Sequence, residues 1–132
     1  MIFDSSEIIA LERNREAVQD LIAGREDEPF GISAVTVAEL LHGVERADTE
    51  ARRIQRQAFV EKVLELFPIF SFDAVAARIY ARLWATQARK GQTVGAHDLM
   101  IAATALSFGF TVVTANRRDF DRIEGLRVEA RS

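Results

Sequence analysis

The hydrophobic positions of the chain fall into short apolar runs separated by longer stretches with helical spacing. The short runs are rich in β-branched and aromatic residues, which favour strands. They predict strands over residues 1–4, 30–35, 68–72, 110–114 and 126–129. The run over 110–114 is the most typical of a central strand, and the last run is typical of an edge strand.

Between these runs, apolar residues recur at intervals of three and four, the period of an amphipathic helix. This spacing predicts helices over residues 6–13, 16–25, 36–46, 49–66, 74–89 and 96–108. Asp73 is predicted to cap the fifth helix and Gly109 to close the sixth. The residues predicted to face the core are Ile9, Val18, Leu21, Ile22, Val37, Leu40, Leu41, Val44, Val75, Ile79, Leu83 and Trp84.

The alternation of strands and helices predicts an α/β fold with a central, mostly parallel sheet and helices on both of its faces. The chain has 132 residues, of which 48% are hydrophobic. That length is close to the commonest domain size, so we expect residues 1–132 to form one domain with one core.

The composition of the chain excludes several classes of protein. The chain has no cysteine, which excludes disulfides, cysteine-based zinc sites and a thiol nucleophile. The first residues lack the basic and apolar segments of a signal peptide, and no apolar run approaches the roughly 20 residues of a membrane span. We therefore expect a cytoplasmic protein without membrane contact.

The net charge of −3 is unevenly distributed. Residues 1–72 hold 8 Lys and Arg against 14 Asp and Glu, whereas residues 73–132 hold 9 against 6. The cations of residues 73–132 lie either on ordinary solvated helix faces or on a rim that attracts phosphate. The sequence leaves both interpretations open. The positive run comprises Arg78, Arg82, Arg89, Lys90, Arg117 and Arg118.

Four acidic residues occupy positions where functional groups of parallel sheets collect. Asp4 ends the first strand and Asp119 lies in the loop after the fourth, and the carboxyl ends of parallel strands form the binding edge of such sheets. Glu39 and Asp98 lie in the predicted first turns of two helices, where a carboxylate is favoured in any case. Thr36 and Glu39 also fit a capping box, which is a purely structural alternative.

As a set, the four acids indicate a metal site. Carboxylates brought together without a cation repel one another. An all-oxygen ligand set suits Mg²⁺ or Mn²⁺ rather than Zn²⁺.

Four segments, in order, resemble the motifs of PIN-domain ribonucleases of the VapC type, the toxins of toxin–antitoxin pairs. Residues 1–6 resemble the opening apolar-apolar-Asp-Thr-Ser, with Ser5 in place of Thr, and residues 33–43 resemble the Glu-Leu-x-x-Gly helix. Residues 96–103 resemble the Asp-Leu-x-Ile-Ala-Ala helix, and residues 114–120 the Thr-x-Asn-x-x-Asp-Phe loop. These motifs span almost the whole chain.

The resemblance implies a PIN-like fold and a Mg²⁺- or Mn²⁺-dependent endoribonuclease of a VapBC-type pair. It implies an RNA substrate, a cognate antitoxin and a homodimer, for which the helices over 6–13 and 49–66 are the candidate interface. The implied catalytic and metal-binding residues are Asp4, Glu39, Asp98 and Asp119, supported by Ser6, Thr114 and Asn116.

Other functions fit the sequence less well. A non-toxin PIN-domain RNA-processing nuclease, or a non-catalytic module that binds RNA or protein, remains the alternative. A receiver domain needs paired acids after the first strand, and a haloacid-dehalogenase-type phosphatase needs an acid at position 6, where the chain has Ser6. For His42, His97, Gly43, Asp121, Tyr80 and Trp84, packing or surface roles are favoured over catalytic or interface roles.

Overall fold

The computed structural model describes residues 1–131, which form five short strands and seven helices. The strands are β1 (Ile2–Phe3), β2 (Ile32–Ser33), β3 (Ile69–Phe70), β4 (Val112–Val113) and β5 (Val128–Glu129). The helices are α1 (Ser5–Asn14), α2 (Val18–Leu21), α3 (Ala34–Glu45), α4 (Glu50–Leu66), α5 (Ala74–Arg89), α6 (Ala96–Phe108) and α7 (Arg117–Phe120).

Every strand pairing is parallel, as predicted. One sheet has the order β1-β4-β5, with Ile2 opposite Val112, and a second sheet pairs β2 with β3. The backbone N–H of Phe3 donates to Gly31 at 3.0 Å, which links β1 to the segment before β2. The five strands therefore follow one another in the order 3-2-1-4-5, and β5 lies at an edge.

Alternate residues of the central strands face opposite helical layers. Phe3 and Val113 pack into a core with α1 to α4, whereas Ile2 and Val112 pack into a core with α5 to α7. Helices thus cover both faces of the sheet, as the sequence predicts, because successive side chains of a strand point to opposite sides. The core itself is divided in two by the sheet.

Gly31 is needed where the two sheets meet. A Cβ atom at this position would lie 2.4 Å from the carbonyl oxygen of Pro68 and 2.5 Å from the ring of Phe70. These distances are too short for any side chain. The absence of a side chain therefore lets β1 and β3 approach β2 from either side.

Helices α2 and α3 differ from the prediction by two residues or more at one end at least. Only Val18–Leu21 is helical within the segment predicted over 16–25, and Gly24 follows in a left-handed conformation with φ +80°. Helix α3 begins two residues earlier than predicted, at Ala34, because the hydroxyl of Ser33 accepts the backbone N–H of Thr36 at 3.1 Å. The N-cap is therefore Ser33, not Thr36.

The prediction for α5 is right in its ends and wrong in part of its buried face. Asp73 caps the helix by accepting the N–H of Ala76. Ala76, Leu83 and Gln87 are buried, whereas Val75 is exposed and Trp84 is 61% exposed. Trp84, the largest side chain of the helix, lies on its solvent face. Ile9 and Leu41 are likewise exposed rather than buried.

No helix formed by residues 1–131 combines the length and the apolar character that crossing a bilayer requires.

Candidate active site

Asp4 lies at the carboxyl end of β1, where it also forms the N-cap of α1. Its Oδ1 accepts the backbone N–H of Ser6 at 2.5 Å, and its Oδ2 accepts the hydroxyl of Ser6 at 3.2 Å and that of Thr114. The side chain is nearly buried, with 5% of the residue exposed. Hydrogen bonds from two neighbouring elements thus fix this carboxylate at the end of the sheet.

Ser6 and Thr114 extend this arrangement to the loop after β4. The Ser6 hydroxyl lies 3.3 Å from that of Thr114 and accepts the backbone N–H of Ala115 at 3.0 Å. The backbone N–H of Asn116 donates to the Thr114 hydroxyl at 2.9 Å. Within residues 1–131 the side chain of Asn116 makes no capping hydrogen bond to α7, so the contact of Asn116 with this network is through its backbone.

Glu39 is not a helix cap. With Ser33 as N-cap, Glu39 is the sixth residue of α3 and lies outside the first turn, so the capping-box interpretation is wrong. Its Oε1 is buried and has no hydrogen-bond partner among the described residues. Burial raises the pKa of Glu39; His97 opposes this effect and the negative charge of Asp4 adds to it. An unsatisfied buried carboxylate oxygen is uncommon and calls for a functional explanation.

His97 approaches Glu39 from α6. Its Nδ1 lies 3.6 Å from Oε2 of Glu39, and its side chain is 62% exposed. The sequence favoured a packing or surface role because residues adjacent on a helix point in different directions. The contact arises across two helices, and the only signal in the sequence was the position of His97 beside Asp98.

Asp98 lies in the first turn of α6, as predicted, after the N-cap Gly95. Its pKa is raised to about 6, first by burial and then by the negative charges of Asp4, Glu39 and Asp119. Burial alone raises the pKa of a carboxyl group, and nearby carboxylates raise it further. The fold thus brings the four predicted acids, from four separate elements, within electrostatic reach of one another.

Asp119 is the most loosely placed of the four. It lies in α7, a single helical turn where the sequence predicted a loop. Its Oδ1 is 3.9 Å from a guanidinium nitrogen of Arg122. The nearby Asp121 instead pairs with Arg117 at 3.3 Å, which agrees with the surface role predicted for it.

The donor chemistry of these residues suits a hard divalent cation, since every ligand atom is a carboxylate oxygen. Among residues 1–131, however, no three His, Cys, Asp or Glu side chains stand close enough together to hold a metal ion between them. Binding a cation here therefore requires side-chain rotations that draw the carboxylates together.

A groove of about 910 Å³ opens beside this cluster. It runs from Glu39 and His97 between α1, α3 and α4, and it is lined by Arg13, Arg46 and Arg56. We call it the arginine groove. None of its arginines belongs to the positive run predicted from the sequence, and within that run Lys90 and Arg117 are paired with Glu124 and Asp121. His42, whose position beside a cleft was an open possibility, lines the groove.

Comparison with known proteins identifies the family. Residues 1–126 match the PIN domain family. The chain belongs to the PIN-domain family. Ribonuclease VapC1 of Rickettsia felis is 39% identical over 131 residues, which cover 97% of this chain and 93% of the relative. The tRNA(fMet)-specific endonuclease VapC of Shigella flexneri is 39% identical over 98 residues, 74% of this chain and 72% of that protein.

The fold of this PIN-domain chain is shared by a solved toxin–antitoxin complex. The crystal structure of DNA-bound VapBC from Salmonella typhimurium superposes with a TM-score of 0.84 at 32% identity, covering 99% of this chain and 97% of that chain. The resemblance seen in the four sequence motifs is therefore confirmed, and so is the PIN-like α/β fold.

Proposed function

We propose that this PIN-domain protein is an endoribonuclease, the toxin of a VapBC-type toxin–antitoxin pair, with a Mg²⁺ or Mn²⁺ site formed by Asp4, Glu39, Asp98 and Asp119. The observation that carries the proposal is the set of carboxylates at the binding edge of the sheet, where Ser6 and Thr114 hold Asp4 and the buried Oε1 of Glu39 has no partner among the described residues. The names of the relatives, which are ribonucleases and endonucleases, support RNA as the substrate.

The divalent cation would neutralise the carboxylates, polarise the scissile phosphate and activate the attacking water. The protein residues have separate tasks. Ser6 and Thr114 hold the Asp4 carboxylate in a fixed direction. Glu39 and Asp98 are half-buried, and their pKa values are raised first by burial and then by neighbouring negative charge, which a cation would offset. Asp119, held less tightly, acts directly or through water.

Metal-dependent melting tests the site. In the purified protein, Mg²⁺ or Mn²⁺ should raise the melting temperature, because a ligand of the folded state at about a hundred times its Kd adds about 2.7 kcal/mol of stability. Asp4→Asn should abolish this gain and also the cleavage of RNA. Arg127→Gln, which changes an exposed arginine before β5 at the end of the sheet opposite Asp4, is the control and should keep both. An Asp4→Asn protein that cleaves RNA and responds to Mg²⁺ would refute the assignment.

Growth measurements test the toxin assignment. The VapBC complexes with this fold support a cognate antitoxin for this chain. Expression of the chain alone should arrest growth, and expression of the Asp4→Asn variant should not. Normal growth with abundant, folded wild-type protein that cleaves RNA in vitro would favour an RNA-processing nuclease outside a toxin–antitoxin pair.

A further inference from the structure

We infer that the arginine groove binds the phosphates of single-stranded RNA next to the point of cleavage, an inference that rests on the proposed ribonuclease function. The groove shares one cavity with Glu39 and His97. A strand whose phosphate is cleaved at the acidic cluster must continue away from it, and this cavity is an open path leading from Glu39.

The charge of the groove favours a polyanion. Three guanidinium groups line it against the carboxylates of Glu12 and Glu39, although the protein as a whole is acidic. In the described part of the chain, Arg13, Arg46 and Arg56 form no ion pair with any carboxylate within 4.0 Å. Their charge is therefore available to a ligand.

The geometry of Arg56 fits phosphate binding. Its Nη1 donates to the carbonyl oxygen of Gly43 at 2.9 Å, which anchors the partly buried guanidinium across the groove and leaves other N–H donors free. A planar guanidinium bonds phosphate oxygens in a bidentate manner, and an anchored one loses less entropy when it does so.

The floor of the groove is apolar. Ile9 and Phe59 line it together with the buried Leu40 and Val60. This surface explains why Ile9, predicted to be buried, is 42% exposed. Apolar and aromatic side chains between cations accept the faces of unpaired bases, which is how sequence-tolerant single-strand sites are built.

The test is the binding of a fluorescein-labelled 12-nucleotide oligouridylate, measured by anisotropy in EDTA so that cleavage does not interfere. Arg13→Gln and Arg46→Gln should each weaken binding several-fold, and each should reduce the slope of log Kd against log salt by about 0.7, the value for one phosphate contact in a single strand. Arg127→Gln is the matched control. It removes the same charge from an exposed arginine that precedes β5, outside both the groove and the positive run, and should leave affinity and slope unchanged.

Two results would overturn the inference. One is that the groove variants bind the oligonucleotide with the same affinity and salt slope as Arg127→Gln. The other is that they bind it like the wild type but lose affinity for a ten-residue poly-glutamate peptide, which would make the groove a site for acidic protein segments. Thermal melting of each variant confirms that it is folded.

Cleavage of the same oligonucleotide by the wild type in Mg²⁺ separates this inference from the proposed function. If the groove variants bind weakly and the wild type does not cleave, the result would support RNA binding in the groove and reject the ribonuclease function. Wild-type cleavage with unaltered binding in the groove variants would reject RNA binding in the groove and leave the ribonuclease function in place.

Discussion

The carboxylates of the candidate site differ in how completely their oxygen atoms are satisfied. Asp4 accepts three hydrogen bonds from Ser6 and Thr114, whereas Oε1 of Glu39 is buried without a partner in the described chain. A hydrogen-bonded carboxylate is oriented at all times, and an unsatisfied one gains most when a cation arrives. The candidate site therefore combines one carboxylate that is fixed in direction with another whose buried oxygen atom lacks a partner among the described residues.

Thr114→Val tests whether cleavage requires the orientation of the Asp4 carboxylate in addition to its charge. The substitution keeps the shape of the side chain and removes the hydroxyl that donates to the buried carboxylate, so we expect unfolding free energy to fall by about 1.5–3 kcal/mol and RNA cleavage to fall with it. Thr114→Ser retains the hydroxyl and should preserve most of both. Denaturant melts and cleavage rates measure the effects. Equal losses in the two variants would contradict the role of the Thr114 hydroxyl as a donor to Asp4.

The raised pKa of Asp98 makes stability depend on pH. Its folded-state value of about 6 exceeds its ordinary value of 3.8, so the folded state binds the proton more tightly. The stability contributed by that proton is fully present below pH 3.8 and is lost as the pH rises through about 6.

Asp98→Asn should therefore stabilise the metal-free protein at pH 7.5, by about 1–2 kcal/mol after allowance for solvent screening. The gain should shrink at pH 5, where Asp98 is largely protonated. Urea melts in EDTA at the two pH values measure it. A gain of the same size at both pH values would show that burial and the neighbouring carboxylates do not raise the pKa of Asp98.

At the scale of elements, the candidate site is built from the carboxyl ends of β1 and β4, from the first half of α3 and of α6, and from the short α7. Each strand is only two residues long, and backbone hydrogen bonds such as Asp4 N–H to Val113 at 3.1 Å continue the pairing beyond them. Where α3 begins decides whether Glu39 lies at a capping position. A helix that began at residue 36 would place Glu39 in its first turn.

Ser33→Ala and Glu39→Gln test this assignment of the N-cap. Ser33→Ala removes the hydroxyl that accepts the Thr36 N–H and should cost about 1 kcal/mol of stability. Glu39→Gln should leave the stability unchanged or higher, because Glu39 caps nothing, and should remove most of the cleavage activity. Thermal melts with parallel activity assays decide the matter. A Glu39→Gln protein with full activity would exclude Glu39 from the metal site.

At the scale of the whole molecule, several large apolar side chains of the described residues are exposed outside the arginine groove, and three of them are more than half exposed. Ile54 on α4 is 57% exposed, and Val75 and Trp84 on α5 are 56% and 61% exposed. We predicted a homodimer through the first helix or the fourth, and Ile9 of α1 lies in the groove. This leaves α4 as the candidate interface.

Ile54→Asp should convert a dimer into a monomer, because a buried unpaired carboxylate is strongly disfavoured in an apolar contact. Sedimentation velocity at micromolar concentration should show a dimer for the wild type and for Trp84→Gln. A dimer that survives Ile54→Asp but not Trp84→Gln would move the interface to α5, and a monomeric wild type would reject dimerisation altogether.

The sequence by itself determined the order of the elements and the family. Helix α6 was predicted with its observed ends, 96–108, and Asp73 and Gly109 were predicted as the cap and the closing residue of their helices. These features depend on hydrogen bonds within a few residues and on conformational preferences of single residues, such as the left-handed Gly109 with φ +71°. Sequence rules that involve only neighbouring residues are therefore sufficient to predict these helix ends.

Only the tertiary structure decided which surfaces lie together. Periodicity placed Trp84 and Ile9 in the core, but the close packing of α5 and the position of the groove leave both exposed. The contact of His97 with Glu39 and the convergence of Arg13, Arg46 and Arg56 join residues far apart in the chain. The sequence shows which residues share an element, whereas the angles at which elements pack decide which side chains meet.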